Sequence, residues 1–193
     1  MKMKIAITGG IGSGKSTVAG LLKNKGYDVF SCDEIYRELL CDERYIAEVA
    51  RLFPEAVENH VINKERLSKI VFADESARKE LNALAHPWIM RTLFIKMENA
   101  KGKYAFAEVP LLFEEGYEDK FDKIIVVLRD EEDRITSVMQ RSGLSRQEVQ
   151  NRIKVQFDYS TLNKKNLPLI ILRNDVSQDE LETKLSEIVK HFS

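Results

Sequence analysis

Gly9-Gly10-Ile11-Gly12-Ser13-Gly14-Lys15-Ser16 fits G-x-x-x-x-G-K-[ST] and holds four of the nine glycines in the chain. Glycine lets the backbone curl inward so that successive N–H groups point at phosphate oxygens. A helix starting near Lys15 adds its positive end, the Lys15 ammonium reaches the outer phosphates, and the Ser16 hydroxyl suits Mg2+. The pattern needs a strand before it and a helix after it. Ile5-Ala6-Ile7-Thr8 and Thr17-Val18-Ala19-Gly20-Leu21-Leu22 supply both. A dinucleotide fingerprint fails on spacing, because the third glycine after Gly10-Ile11-Gly12 would fall on Lys15. The stretch therefore reads as a nucleoside triphosphate site.

Outward from this loop, nearly continuous apolar runs predict strands over 4–8, 27–31, 104–109, 123–128 and 169–172. Such runs suit a parallel sheet with helices on both faces. Helical periodicity predicts helices over 15–24, 33–40, 43–52, 64–72, 76–99, 131–141, 146–155 and 178–192. For the last, Ser177 is the expected N-cap, with Glu180 completing a capping box. The gaps after the second and fourth strands read as helix throughout. The fold class is thus α/β, a five-stranded parallel sheet carrying a large and a small helical insertion. Movable helical parts on such a sheet suit a group-transfer enzyme that must exclude water.

Composition narrows the partners. Thirty Lys+Arg against 31 Asp+Glu leave a net charge of −1, which argues against bulk binding to nucleic acid or anionic membrane. The apolar runs are strand-sized, well short of the roughly 20 residues of a membrane span. Too little apolar length precedes Thr8 for a signal peptide. Cys32 and Cys41 fit no metal or redox spacing. A reduced, cytoplasmic setting is expected, with a chain that is monomeric or a weak homo-oligomer.

A triphosphate loop serves kinases, guanine-nucleotide switches and motor ATPases alike. Asn163-Lys164-Lys165-Asn166 approaches the guanine motif Asn-Lys-x-Asp but ends in the wrong residue. Asp33 follows the second strand, at the edge where ligands of open parallel sheets collect. It could take the proton of an acceptor hydroxyl and contact Mg2+, or simply cap the next helix. Glu108 could hold a metal through water, or pair with Lys15 or a helix end. Asp130 reads as a cap for the helix at Glu131. Arg134, Arg141, Arg146 and Arg152, with Gln140 and Gln156, make the small insertion arginine-rich. They are either a lid that neutralises phosphoryl charge or a solvated helix face. Arg141 stands out because it precedes Ser142-Gly143-Leu144, a natural break. His86-Pro87 interrupts a long helical stretch, and proline there kinks or restarts a helix.

Together these pieces resemble the dephospho-coenzyme A kinase family, a P-loop class related to nucleoside monophosphate kinases. The resemblance rests on the loop from Ile7 to Ala19, Cys32-Asp33-Glu34-Ile35, Arg66-Leu67 with Val71-Phe72, and Leu84-Ala85-His86-Pro87. It continues through Val109-Pro110-Leu111-Leu112-Phe113-Glu114, Gln140-Arg141, and Arg152-Ile153 with Gln156. It implies a three-layer P-loop fold with a core of 1–32, 101–133 and 160–193, a helical acceptor-binding insertion 33–100 and a lid 134–159. It also implies transfer of the ATP γ-phosphoryl group to the ribose 3′-hydroxyl of dephospho-coenzyme A, the last step of coenzyme A synthesis, with Mg2+. On that resemblance Gly10, Gly12, Ser13, Gly14, Lys15, Ser16, Thr17, Arg141 and Asn174 bind ATP. Asp33, Lys15 and Arg141 are catalytic, and Ser16 and Asp33 hold the metal. Asp33, Arg66, His86, Pro110, Leu111 and Leu112 take the acceptor. The chain departs from the family in reading Ser31-Cys32-Asp33 for Asp-Ala-Asp, which removes a carboxylate. Around Asn174-Asp175-Val176 it also lacks the family's Ala-Asp and glycine. A kinase for another nucleotide or small metabolite, and an ATP-binding regulatory module without transfer activity, are the alternatives.

Overall fold

In chain order, the computed structural model forms β1 (Met3–Thr8), α1 (Lys15–Asn24), β2 (Asp28–Ser31), α2 (Cys32–Leu39) and α3 (Glu43–Leu52). A short hairpin, β3 (Val57–Glu58) and β4 (Val61–Ile62), leads to α4 (Lys64–Ala73) and α5 (Glu75–Glu98). Then come β5 (Tyr104–Glu108), β6 (Lys123–Leu128), α6 (Glu131–Ser142), α7 (Arg146–Lys154), β7 (Leu169–Arg173) and α8 (Gln178–Lys190). The structure describes residues 2–164 and 167–192. Lys165 and Asn166, half of the stretch compared with the guanine motif, lie outside the described residues.

β1 to β2 and β5 to β7 make one five-stranded parallel sheet in the order β2-β5-β1-β6-β7. β1 is central, with Ile7 opposite Glu108 on β5 and Thr8 opposite Val126 on β6. Ile5, Ile7, Phe106, Ile125 and Val127 alternate onto one face. There they meet Val18, Leu21 and Leu22 of α1 and Leu181, Leu185 and Val189 of α8 in one buried cluster. Burying each such aliphatic side chain stabilises by about 1.5–3 kcal/mol. Among the described residues a second cluster joins Ile135 and Val138 of α6 to Val149 of α7, with Ile11 of the loop packed against it.

The chain divides into two compact units, one of residues up to Val29 together with those from Ala100 onward, the other Phe30–Asn99. The first contains the glycine loop. In the second, α2, α3 and α4 all pack on α5. Its single tryptophan, Trp88, meets the buried Tyr45 edge to face at 5.8 Å, and the Arg44 guanidinium lies 5.8 Å from its ring.

The structure corrects three local expectations. The stretch after β2 is not helix throughout, because β3 and β4 pair antiparallel across Asn59 and His60, both in the left-handed region (φ 50 and 61). α5 runs on through Pro87, as the helix expected over 76–99 requires, so the proline does not restart it. Ala83 and Pro87 are both exposed, so water can satisfy the carbonyl that proline leaves without a donor. Ser177 caps α8 by accepting from the Glu180 amide, but the Glu180 carboxylate turns forward to Lys184 at 2.7 Å. The full reciprocal box stands instead at Ser145 and Glu148, heading α7.

Candidate functional site

β1 delivers Thr8 to the end of the sheet, and the glycine stretch turns the chain back into α1. Ser13 N–H donates to Gly10 O at 3.2 Å, closing a turn whose third residue, Gly12, has φ 75. A Cβ there would also stand 2.7 Å from the Arg134 carbonyl oxygen. Gly14 is the N-cap of α1, is left-handed (φ 95), and supplies no side-chain cap; no acidic residue occupies the first turn. The opening N–H groups of α1 therefore keep their positive end for an anion. Lys15 Nζ bends over the loop, donating to the carbonyls of Gly9 (2.8 Å) and Gly10 (3.0 Å). Ser16 Oγ donates to Glu108 Oε1 at 2.7 Å, a contact set up by the β1–β5 register. Ser16 and Thr17 are exposed.

Several distant side chains wall the loop. Asn174, just past β7, donates Nδ2 to Ser13 O at 2.9 Å and sits where a Cβ on Gly14 would be. Arg134 donates Nε to Ile11 O at 2.9 Å, and its guanidinium lies against Gly10. Half burial pulls that guanidinium below the usual arginine range. Gln156 Oε1 accepts from Ile11 N–H at 2.8 Å. The buried Tyr159 hydroxyl lies beside the Thr8 hydroxyl and the Gly9 amide, although none of these contacts reaches hydrogen-bond geometry. Burial pushes the tyrosine up to about 12, so it keeps its proton at neutral pH.

In the segment after β5, Pro110 is half-buried, Leu111 is exposed, and Leu112 is wholly buried. Phe113 stacks on Phe157 with centroids 4.6 Å apart. Phe157 N–H donates to Glu114 Oε1 at 3.0 Å. Of the α6–α7 arginines, Arg134 alone is shown against the loop. Arg141 is exposed in the last turn of α6, and Arg146 is paired with Glu132. Asp130 caps α6 by accepting from Glu132 N–H at 3.0 Å.

In the unit of residues 30–99, the cap of α2 is Ser31, whose side chain accepts from the Glu34 amide. Asp33 therefore does not serve as that cap and stands exposed in the first turn. Arg66, exposed on α4, pairs with Glu58 of the hairpin at 3.3 Å. His86 is half-buried on α5.

The dephospho-CoA kinase family model matches residues 3–180. The chain belongs to the dephospho-CoA kinase family. The dephospho-CoA kinase of Thermus thermophilus is 38% identical over 189 residues, covering 98% of this chain and 91% of that one. Among solved structures, a Thermus thermophilus protein superposes with a TM-score of 0.82 at 36% identity, covering 100% of this chain and 98% of its own. The dephospho-CoA kinase of Campylobacter jejuni gives a TM-score of 0.72 at 28% identity, again over 100% and 98%. As a member of this family the chain is a kinase with an α/β P-loop fold. Among the described residues no helix is long and apolar enough to cross a membrane.

Two residues that the fold brings against the loop have partners that the sequence does not reveal. Gln156 reads with the arginines and, beside Arg152-Ile153, as part of the family resemblance, but its partner Ile11 lies 145 positions away. Tyr159 follows α7 in a stretch with no motif at all, and only the folded chain brings it to Thr8 and Gly9.

Proposed function

We propose that the protein transfers the γ-phosphoryl group of ATP to the ribose 3′-hydroxyl of dephospho-CoA, in the cytoplasm. The observation that carries the donor half is the helix α1 N-terminus, bare of side-chain caps and acidic residues, with Lys15 folded over the loop. On ATP binding the Lys15 ammonium exchanges its two loop carbonyls for phosphate oxygens, and the amides from Gly12 to Thr17 close around them. Asn174 holds the loop from outside. Arg141, exposed on α6, is free to approach phosphate from the solvent side.

The donors around Ser16 fit Mg2+. A hydroxyl and a carboxylate are hard oxygens, and Mg2+ needs few protein ligands when phosphates and waters complete its shell. Among the described residues no group of three or more His, Cys, Asp or Glu is placed to hold a metal. Ser16 would then ligate the ion, Glu108 would hold it through a water, and Asp33 would offer a further oxygen. The ion would neutralise charge on the β- and γ-phosphates.

Asp33 is assigned as the base that orients the acceptor hydroxyl and takes its proton. Ser31 already fills the capping role at α2, so the capping alternative for Asp33 does not apply. Arg66, His86, Pro110 and Leu111 are assigned to the acceptor, with Leu112 supporting that segment from the core.

The test is ADP release with ATP and Mg2+, adding dephospho-CoA, adenylates and simple alcohols separately. Turnover stimulated by dephospho-CoA, with mass analysis placing the new phosphate on the 3′ oxygen, is expected. Stimulation by another acceptor alone would transfer the reading to that substrate. ATP binding with no acceptor-stimulated turnover would make the protein a regulatory module.

A further inference from the structure

Ile11 is held from three directions by the segment 134–156, which lies far from it in sequence. Its side chain packs against the α6–α7 cluster of Ile135, Val138 and Val149. Its N–H donates to Gln156 Oε1 at 2.8 Å, and its carbonyl accepts from Arg134 Nε at 2.9 Å. A trans peptide is planar, with N–H and C=O pointing opposite ways. Two orientations in the loop are fixed by this. Because Gln156 takes the Ile11 N–H, the Gly10 carbonyl faces the other side, where it receives Ser13 N–H and Lys15 Nζ. Because Arg134 takes the Ile11 carbonyl, the Gly12 N–H is turned away from Arg134. Rotation of the peptide between the two central residues is what separates turn types I and II, so the Arg134 bond to the Ile11 carbonyl keeps the Gly12 amide from turning, while the Gln156 bond fixes the peptide before it.

We propose that Gln156 is a positioning residue for the phosphate loop, with Arg134 as its companion across the same residue. Gln156 touches no reacting atom; it acts through Ile11, keeping the loop amides aimed before ATP arrives. The inference rests on the triphosphate reading of the loop and is independent of which acceptor is used. It also places the base of the α6–α7 pair on the loop, anchored further by Phe157 on Phe113 and Glu114.

The experiment compares Gln156→Met, similar in size but without the acceptor, with Gln156→Asn, one methylene short, and Gln156→Glu, which retains an acceptor oxygen. Two quantities are read, ATP affinity by calorimetry and the hydrogen-exchange rate of the Ile11 amide by NMR. The Met and Asn variants should keep the wild-type thermal midpoint, bind ATP about five- to tenfold more weakly, and exchange the Ile11 amide faster by a similar factor. Gln156→Glu should return that amide to wild-type protection. A folded Met or Asn variant that binds ATP within about twofold of wild type overturns the proposal. So does an unchanged Ile11 exchange rate in both. Neither readout involves dephospho-CoA, so a wild-type enzyme that ignores that acceptor would defeat the proposed function and leave this result standing.

Discussion

Two oxygens 2.7 Å apart, on Ser16 and Glu108, belong to residues 92 positions apart that the β1–β5 register brings together. The proposed metal role makes Glu108→Gln informative, since the amide keeps the shape and loses the charge. The Mg2+ concentration giving half-maximal turnover should rise about tenfold with ATP affinity in the absence of metal unchanged. An unaltered Mg2+ titration would limit Glu108 to bracing Ser16. Asp33 is tested in the same way. Asp33→Asn should lower kcat by about 100-fold or more while the KM for ATP stays within about twofold, because a general base acts on the acceptor and not on donor binding. Unchanged kcat would remove Asp33 from the chemistry. Among the arginines, the break at Ser142-Gly143 drew the sequence reading to Arg141. Contact with the loop depends on tertiary packing, which puts Arg134 on Ile11 and leaves Arg141 exposed.

At the scale of elements, the five long strands were legible because each is a run of apolar residues ending near glycine, proline or a charge. β3 and β4 were not, for a physical reason. Two residues each, Val57-Glu58 and Val61-Ile62, are too few to show an alternation, and the turn between them lacks the glycine that usually marks a hairpin. Asn59 and His60 take the left-handed conformation instead, which such residues tolerate better than most. His60→Gly should relieve the strain at φ 61 and raise stability by about 0.5–1 kcal/mol, read from the urea midpoint. A fall in the midpoint would mean that the His60 side chain contributes contacts worth more than the backbone strain. The long helix α5 shows the converse case. A proline in its sequence suggested a break, but position 87 falls on the wet face, where a missing hydrogen bond is tolerated.

For the molecule as a whole, the near-zero net charge means that local pairs, not a global field, set its response to pH. Asp175 ties the end of β7 to the start of α6, accepting from Asp130 N–H at 2.6 Å and from Arg173 Nε at 2.8 Å. The Asp130 amide is the largest influence and lowers its carboxyl below the usual carboxylate range; burial opposes it, and the Arg173 guanidinium adds to the lowering. A lowered folded value favours the charged form, so the stabilisation is complete above about pH 4 and fades as pH falls through the folded value. Asp175→Asn should therefore cost about 0.5–1 kcal/mol near neutrality, a modest figure for a largely solvated group. The gap in thermal midpoint between variant and wild type should close in acid. A gap independent of pH would show that shape rather than charge matters at this position.

The placement of Trp88 has a practical consequence. As the only indole in the chain it sits in the unit of residues 30–99, wedged between Tyr45 and Arg44. Excitation at the red edge of protein absorbance therefore lights up that unit alone and leaves the nucleotide loop dark. Any emission change on adding a ligand to the wild-type protein reports a change in the surroundings of one ring. The helical insertion thus carries a built-in optical probe, with no label to attach.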